Sequence, residues 1–433
     1  MAFLALAIDV GQLRYQRRNL QKAADAAALA AVLELPYCSG LSDCPALQQA
    51  ARSALAENGV STATLANDCA AGPTSGVVLT INHPPCSLGL KDPNMGKAKY
   101  IEVLLSQPQQ TAFANIFGIG SMPLVARSEA GVTPGTNCIY ALDPTGSGLV
   151  VQGGAAILSS CGIVVESSSS SALSCNLLGL ITGSQINVVG GYTSFLCAFA
   201  PTPTTNVVMP NPADPLAYLP LPAVPACGTS VTSPFHGSAA ALKITGTAVL
   251  YADGAYCGGI VIKPGANVTF QPGVYALTSS NGGVLAIPGG LSIDLGANVV
   301  GNGVTFYNFG PSGGITLNQP TLGFGIGGVS LTAPTTGTYA GMLFFQPASN
   351  TTSATLMGSA IWSTVLQGTY YFPKAKVTFA FDGPVSYNIL VAYDIVFQFL
   401  SLGSGSLTSG FSNDYSSLAN GSPLSGKGAV IAQ

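Results

Sequence analysis

Charge is scarce in this sequence. Of 433 residues, 14 are Lys or Arg and 17 are Asp or Glu, so 7% are charged, against about a quarter in ordinary soluble domains. The net charge is −3, which argues against a nucleic-acid partner. Arg stops at Arg127 and Glu stops at Glu166. There are two histidines, His83 and His236, and one tryptophan, Trp362. A Ser-His-Asp triad would have to use one of those histidines, and His236 sits in the loop-like SPFHGS. No CxxC pair occurs and neither histidine falls at zinc-finger spacing, so no metal or cofactor is expected. GFGIGG at 323–328 lacks the lysine of a phosphate-binding loop. No apolar run reaches the about 20 residues of a membrane span.

Small and apolar residues fill the gap. Apolar residues make up 48%, with 53 Gly and 29 Pro. That is too rich in Val, Ile and Phe for disorder. It suits a mainly β protein whose outer faces carry Ser, Thr, Asn and Gly. Ten cysteines are present: Cys38, Cys44, Cys69, Cys86, Cys138, Cys161, Cys175, Cys197, Cys227 and Cys257. An even number without metal spacing points to disulfides, and hence to an oxidising compartment. Pairing is expected within the first four and within the other six. Spacing alone leaves the connectivity open.

The first 35 residues differ from the rest. Met1–Ile8 is apolar, with Phe3, Leu4, Leu6 and Ile8, and reads as the last turns of a span that would begin further upstream. Arg14, Arg17, Arg18 and Lys22 follow at helical spacing. Such a basic stripe suits lipid headgroups or an ordinary solvated face. The alanines Ala23, Ala24, Ala26, Ala27, Ala28, Ala30 and Ala31 are small enough for a neighbouring helix to come close.

Two stretches carry a resemblance. AIDVGQLRYQRRNLQKAADAAALAA, from Ala7, resembles the N-terminal segment of TadE/TadG-like proteins of the tight-adherence (Flp) pilus system. KYIEVLLSQPQQTAFANIFGIGSMPLVARSEAGV, from Lys99, is similar to a later part of that family. Together they cover about residues 1–133. The resemblance implies a cell-envelope protein with a membrane anchor at its N-terminal helix and its bulk on the periplasmic or extracellular face. It also implies membrane or pilus-assembly proteins as partners of that helix.

Past the helix, residues 36–133 interleave helix and strand patterns as in a small α+β domain. A helix is expected over 46–58, a short one over 111–117, and strands over 76–81, 100–106 and 123–132. Residues 134–400 show short β-branched runs between Gly, Pro, Asn and Ser at irregular intervals. We expect a right-handed parallel β-helix there, with a Pro-rich excursion at 200–235. Residues 401–433 read as a loose Ser/Gly-rich tail. After residue 240 the carboxylates are Asp253, Asp294, Asp382, Asp394 and Asp414, none in a cluster, and no Arg is present to hold a uronate. A non-enzymatic structural or adhesive role in a tight-adherence pilus system, or at the cell surface, is therefore expected. The competing readings are a carbohydrate-active β-helix enzyme and a self-associating filament subunit. Trp362, Tyr370, Tyr371 and Tyr387 are the candidate aromatics for a surface or glycan ligand, although their alternation with aliphatics favours a place in the core.

Overall fold

The structure, a computed structural model, describes residues 2–35, 44–60, 64–66, 69, 76–97, 100–134, 136–209, 213–217, 219–225, 241–278, 289–294, 296–317, 327–358, 365–381, 387–398, 408–413, 418 and 423–432. The protein is mainly β, with an N-terminal helix. It divides into two compact units. The first comprises Met1–Gly135, Ala217–Pro220 and Leu424–Gln433; the second comprises Thr136–Leu216 and Leu221–Pro423.

The first unit holds α1 (Ala2–Glu34), α2 (Pro45–Glu57) and a five-stranded sheet. Its strands are β1 (Thr64–Ala66), β2 (Val78–Asn82), β3 (Tyr100–Gln110) and β4 (Ser121–Pro134), with Ser425–Ile431 at the far edge. β1 and β2 are parallel; β2, β3, β4 and the last strand follow antiparallel. Ala, Leu, Arg, Gln and Lys dominate α1, and all are strong helix formers. Leu20, Ala23, Ala24, Ala27, Ala28 and Ala31 form a buried stripe with helical spacing. That stripe packs on Leu47, Ala51 and Leu55 of α2 and on Ile101, Val103, Leu105 and Ala126 of the sheet. The neighbouring helix that the small alanine face admits is thus supplied within the chain, by α2, with the sheet covering the rest of the stripe. α2 falls where the sequence places a helix, and Gly59 follows it with φ of +82°. The helix expected over 111–117 shortens to one 3-10 turn, Ala114–Phe117, closed by Gly118 in the left-handed region.

In the second unit most strands pair in parallel with the strand three places further along. Asn137–Ala141 pairs with Gly162–Val165, which pairs with Ile186–Val188. The same rule links Ile260–Ile262, Leu291–Ile293 and Ile315–Leu317. The offset between paired residues ranges from 18 (Leu242 to Ile260) to 39 (Thr316 to Thr355), so no fixed period marks the sequence. Inward-facing side chains stack in columns at the strand spacing of about 4.8 Å. One column runs Tyr275, Phe306, Phe344, Tyr370, Leu390, Ile139, Ile163. Its rings lie 5.5, 5.8 and 5.6 Å apart from Tyr275 to Tyr370, the offset arrangement that aromatic quadrupoles favour. Glycine makes one corner possible. Gly259 and Gly290 both have positive φ, and an added Cβ would strike the carbonyl oxygens of Gly290 and Gly314 respectively.

Two disulfides cross between neighbouring turns. Cys138–Cys161 and Cys175–Cys197 are separated by 23 and 22 residues, with Cα atoms 5.6 and 5.9 Å apart. The first separation lies close to the local offset of 24 from Ile139 to Ile163, and the second exceeds the local offset of 19 from Cys175 to Ser194 by three residues. In the first unit Cys69 pairs with Cys86. Cys44 and Cys257 are disulfide-bonded as well, and no described cysteine is free. Cys38 and Cys227 lie outside the described residues.

The order of turns differs from chain order. The strand Tyr387–Gln398 pairs in parallel with Val365–Phe381 on one side. On the other side it pairs in parallel with Asn137–Ala141 and Leu149–Gln152. The chain therefore enters the stack at its middle, winds out to Ala198–Ala200, restarts at Leu242–Ile244 and winds back to meet its own first turn. The Pro-rich segment connects the two runs. There Asp214 accepts a hydrogen bond from Tyr371 at 2.6 Å, Leu216 is buried, and Val224 packs on Ala255, Cys257 and Ala276. The expected loose tail carries two strands. Thr408–Asn413 pairs with Ala156–Ser159, and Ser425–Ile431 pairs with β4.

Truncating a ring in the aromatic column leaves a cavity that turns on both sides hold open. Phe344→Ala is expected to cost about 3–5 kcal/mol in urea unfolding followed by circular dichroism. Val300→Ala, on the exposed face, is expected to cost less than about 0.5 kcal/mol.

Candidate functional site

Between Ala7 and Arg18 most of α1 faces outward. Arg14, Arg17, Arg18 and Lys22 are all exposed, as are Ile8, Val10 and Tyr15. Phe3, Leu4 and Leu6 lie in the same helix. Among the described residues no helix is long and apolar enough to cross a membrane.

Asp9 fixes what lies beside this stretch. Its carboxylate is buried and accepts three backbone N–H bonds, from Ala112 at 3.1 Å, Phe113 at 2.9 Å and Ala114 at 2.6 Å. The bond from Ala114 does most to hold the Asp9 carboxyl below its usual range; burial opposes it, and Ala112 and Phe113 add to it. Three turns further along, Gln21 donates from Nε2 to the Arg127 carbonyl at 2.7 Å. The helix is thereby pinned at two heights to the β3–β4 hairpin, with the tip of that hairpin beside Asp9.

A second polar knot holds the loop before β3. Arg127 on β4 forms ion pairs with Asp92, Glu102 and Glu129. Glu102 also accepts from Asn82 Nδ2 at 2.8 Å, from the N–H groups of Cys86 and Ser87 at 3.2 and 3.0 Å, and from the Ser87 hydroxyl. Burial acts to raise the Glu102 carboxyl, but the bonds from Ser87, Asn82 and Arg127 outweigh it and bring it down to about 2. This cluster anchors the Cys86 loop to the sheet.

Two of the candidate aromatics in the second unit, Tyr370 and Tyr371, turn inward or are covered. Tyr370 belongs to the buried column, and its hydroxyl donates to the Leu366 carbonyl. Tyr371 is buried under Asp214. Neither offers a ring to a ligand, because strand alternation sends one into the core and the other under the Pro-rich segment. Tyr387 opens the strand Tyr387–Gln398. Trp362 and His236 lie outside the described residues. The open face of the stack carries Val249, Thr269, Val300, Ser330 and Val365 in register, a mixed row of small β-branched and hydroxyl side chains.

One constellation was invisible in the sequence. Asp143 and Asp394, 251 positions apart, are brought within interaction range where Tyr387–Gln398 runs beside Asn137–Ala141. Burial, then the charge of Asp143, pushes Asp394 up to about 6, while Lys376 opposes the shift. Asp143 goes the other way. Burial acts to raise it, but the N–H groups of Thr145 and Gly146 and the Tyr393 and Asp394 side chains bring it below its usual range. Among the described residues no group of three His, Cys, Asp or Glu side chains is placed to hold a metal.

The family model of Flp pilus-assembly TadE/G-like proteins matches residues 1–34, and α1 ends at Glu34. The match stops short of residues 35–133, over which the resemblance was expected to continue. No curated protein and no solved structure matches the chain. The family match and the disulfides are consistent with an envelope or extracellular location.

Replacing Asp9 with Ala removes the acceptor of three N–H groups. Amide exchange over 112–117, read by mass spectrometry, is expected to accelerate by about tenfold or more. Asp394 makes a pH prediction. A carboxyl raised in the folded state costs stability as pH climbs from its unfolded value through about 6. Asp394→Asn is therefore expected to match the parent near pH 4 and exceed it at pH 7.5 by about 1–2 kcal/mol, with the partial exposure of the site discounted. Thermal melts at the two pH values check this.

Proposed function

We propose that this chain is an exported cell-envelope protein that serves a tight-adherence pilus system as a structural or adhesive component. The observation that carries the reading is the family match over residues 1–34, whose end coincides with that of α1. The stretch of that helix left exposed and basic suits a tether or a docking element for membrane or pilus-assembly proteins. Disulfides that tie neighbouring turns support folding in an oxidising compartment.

In this reading the second unit is a right-handed parallel β-helix. The three-strand parallel offset supports it, and the chirality of parallel crossover connections supplies the hand. Its open Val/Thr/Ser face is the candidate adhesive surface. The role is non-catalytic. Glycoside hydrolysis needs two carboxylates facing one bond, whereas the two that the fold brings together, Asp143 and Asp394, interact with each other. The divergent shifts of that same pair favour a second reading, a carbohydrate-active enzyme with Asp394 as the acid. Polysaccharide cleavage abolished by Asp394→Asn would establish that alternative.

The primary test shears native cells, fractionates supernatant, envelope and cytosol, and runs each fraction on reducing and non-reducing gels. The expected outcome is disulfide-bonded protein in the envelope or the sheared fraction. Reduced protein in the cytosol would refute export.

A further inference from the structure

We propose that the end of the first unit formed by the start of α1 and the β3–β4 hairpin tip docks on an anionic phospholipid surface, with the tip entering the boundary between headgroups and acyl chains. This deepens the membrane-facing part of the proposed function and depends on it.

The tip carries large apolar side chains with nothing over them. Ile116 is 79% exposed and Phe117 78%, and Phe113 and Ile119 are exposed beside them. Scattered surface apolars are ordinary. These four are not scattered, because the three bonds to Asp9 bring the tip against α1 beside Ile8 and Val10, both exposed. The outcome is one apolar patch built from two segments a hundred residues apart. Patches of that kind mark interaction surfaces.

Charge identifies the occupant. Arg14, Arg17 and Arg18 are exposed on the same helix. At about 1.5 Å per residue they sit roughly 9–15 Å along α1 from Ile8. An interfacial segment buries its apolar side about 5–10 Å into the headgroup–acyl boundary, so the guanidinium groups reach the phosphates when the tip reaches the acyl chains. Tyr15, also exposed, lies at the height where amphipathic rings settle. No acidic residue falls on α1 between Val10 and Lys22, and Asp9 is already bonded to the backbone. The apolar tip thus comes first and the arginines, with Tyr15 among them, follow about 9–15 Å further along, in the order that a bilayer interface presents its layers. A second copy of the chain would meet the same patch with far fewer anionic groups, in a protein with 17 acidic residues in all.

The test uses the full chain with phosphatidylcholine vesicles, with and without phosphatidylglycerol. Phe117→Trp reports insertion through quenching by brominated lipid, against the signal of the parent's one tryptophan. Strong quenching in the phosphatidylglycerol vesicles is expected. The double variant Ile116→Ser/Phe117→Ser is expected to weaken partitioning by about tenfold or more. The triple variant Arg14→Gln/Arg17→Gln/Arg18→Gln is expected to lose at least about tenfold on anionic vesicles and nothing on neutral ones. Circular dichroism confirms that each variant folds. Binding without quenching, unaffected by the tip substitutions, would overturn the tip's role and leave the helix as the membrane contact. No binding of the parent to either vesicle would overturn both readings. Loss of an oligomer in the tip variant, with vesicles ignored, would assign the patch to a second copy.

Discussion

Parallel strands cannot turn back on themselves, so each turn of the second unit hands its interior to the next at a fixed spacing of about 4.8 Å. That constraint governs what its sequence may contain. Inward positions must be apolar and must stack on similar neighbours, as Tyr275, Phe306 and Phe344 do. Corners must admit close backbone approach, which only glycine does at Gly259 and Gly290. Outer positions need only form strands, and Ser, Thr, Asn and Val suffice. Low charge and abundant glycine follow from the architecture.

Much of this was legible in the sequence. The β-branched runs, the Gly corners and the disulfide expectation all rest on local chemistry. The helix α1 was legible for the same reason, since alanine and long straight side chains favour it wherever it packs. What escaped was non-local. Nothing in residues 137–152 announces that their partner is 387–398, because parallel pairing depends on stacking rather than on a turn signal. The meeting of Asp143 with Asp394 inherits that blindness. Thr408–Asn413 was hidden by composition, since Ser and Gly carry little strand signal until a neighbour supplies the hydrogen bonds. The alternation of Tyr371 with aliphatics pointed to the core, but the segment that covers it is Pro-rich and carries no periodic pattern to announce the contact.

The rarity of charge also explains where charge sits. Asp9 holds the hairpin tip, and Arg127 gathers Asp92, Glu102 and Glu129 to hold the Cys86 loop. Lys263 meets Asp294 at 2.8 Å on the next turn. Asp143 and Asp394 face each other across the junction of first and last turns. In each case a charged group fastens one segment to another that apolar packing alone would leave loosely placed. The exposed arginines Arg14, Arg17 and Arg18 of α1 form no such tie among the described residues.

The mid-stack entry of the chain has a consequence for how the protein is made. Asn137–Ala141 and Leu149–Gln152 emerge early in synthesis, yet the strand that covers their free edge, Tyr387–Gln398, is among the last. Until it arrives, an unpaired parallel edge is open to any strand that meets it, which is the setting for misassembly between nascent chains. The order of synthesis and the order of closure run opposite to each other. Ser425–Ile431 closes on β4 later still, so a cut before Ser425 removes an edge strand from one unit and a cut before Tyr387 opens the seam of the other.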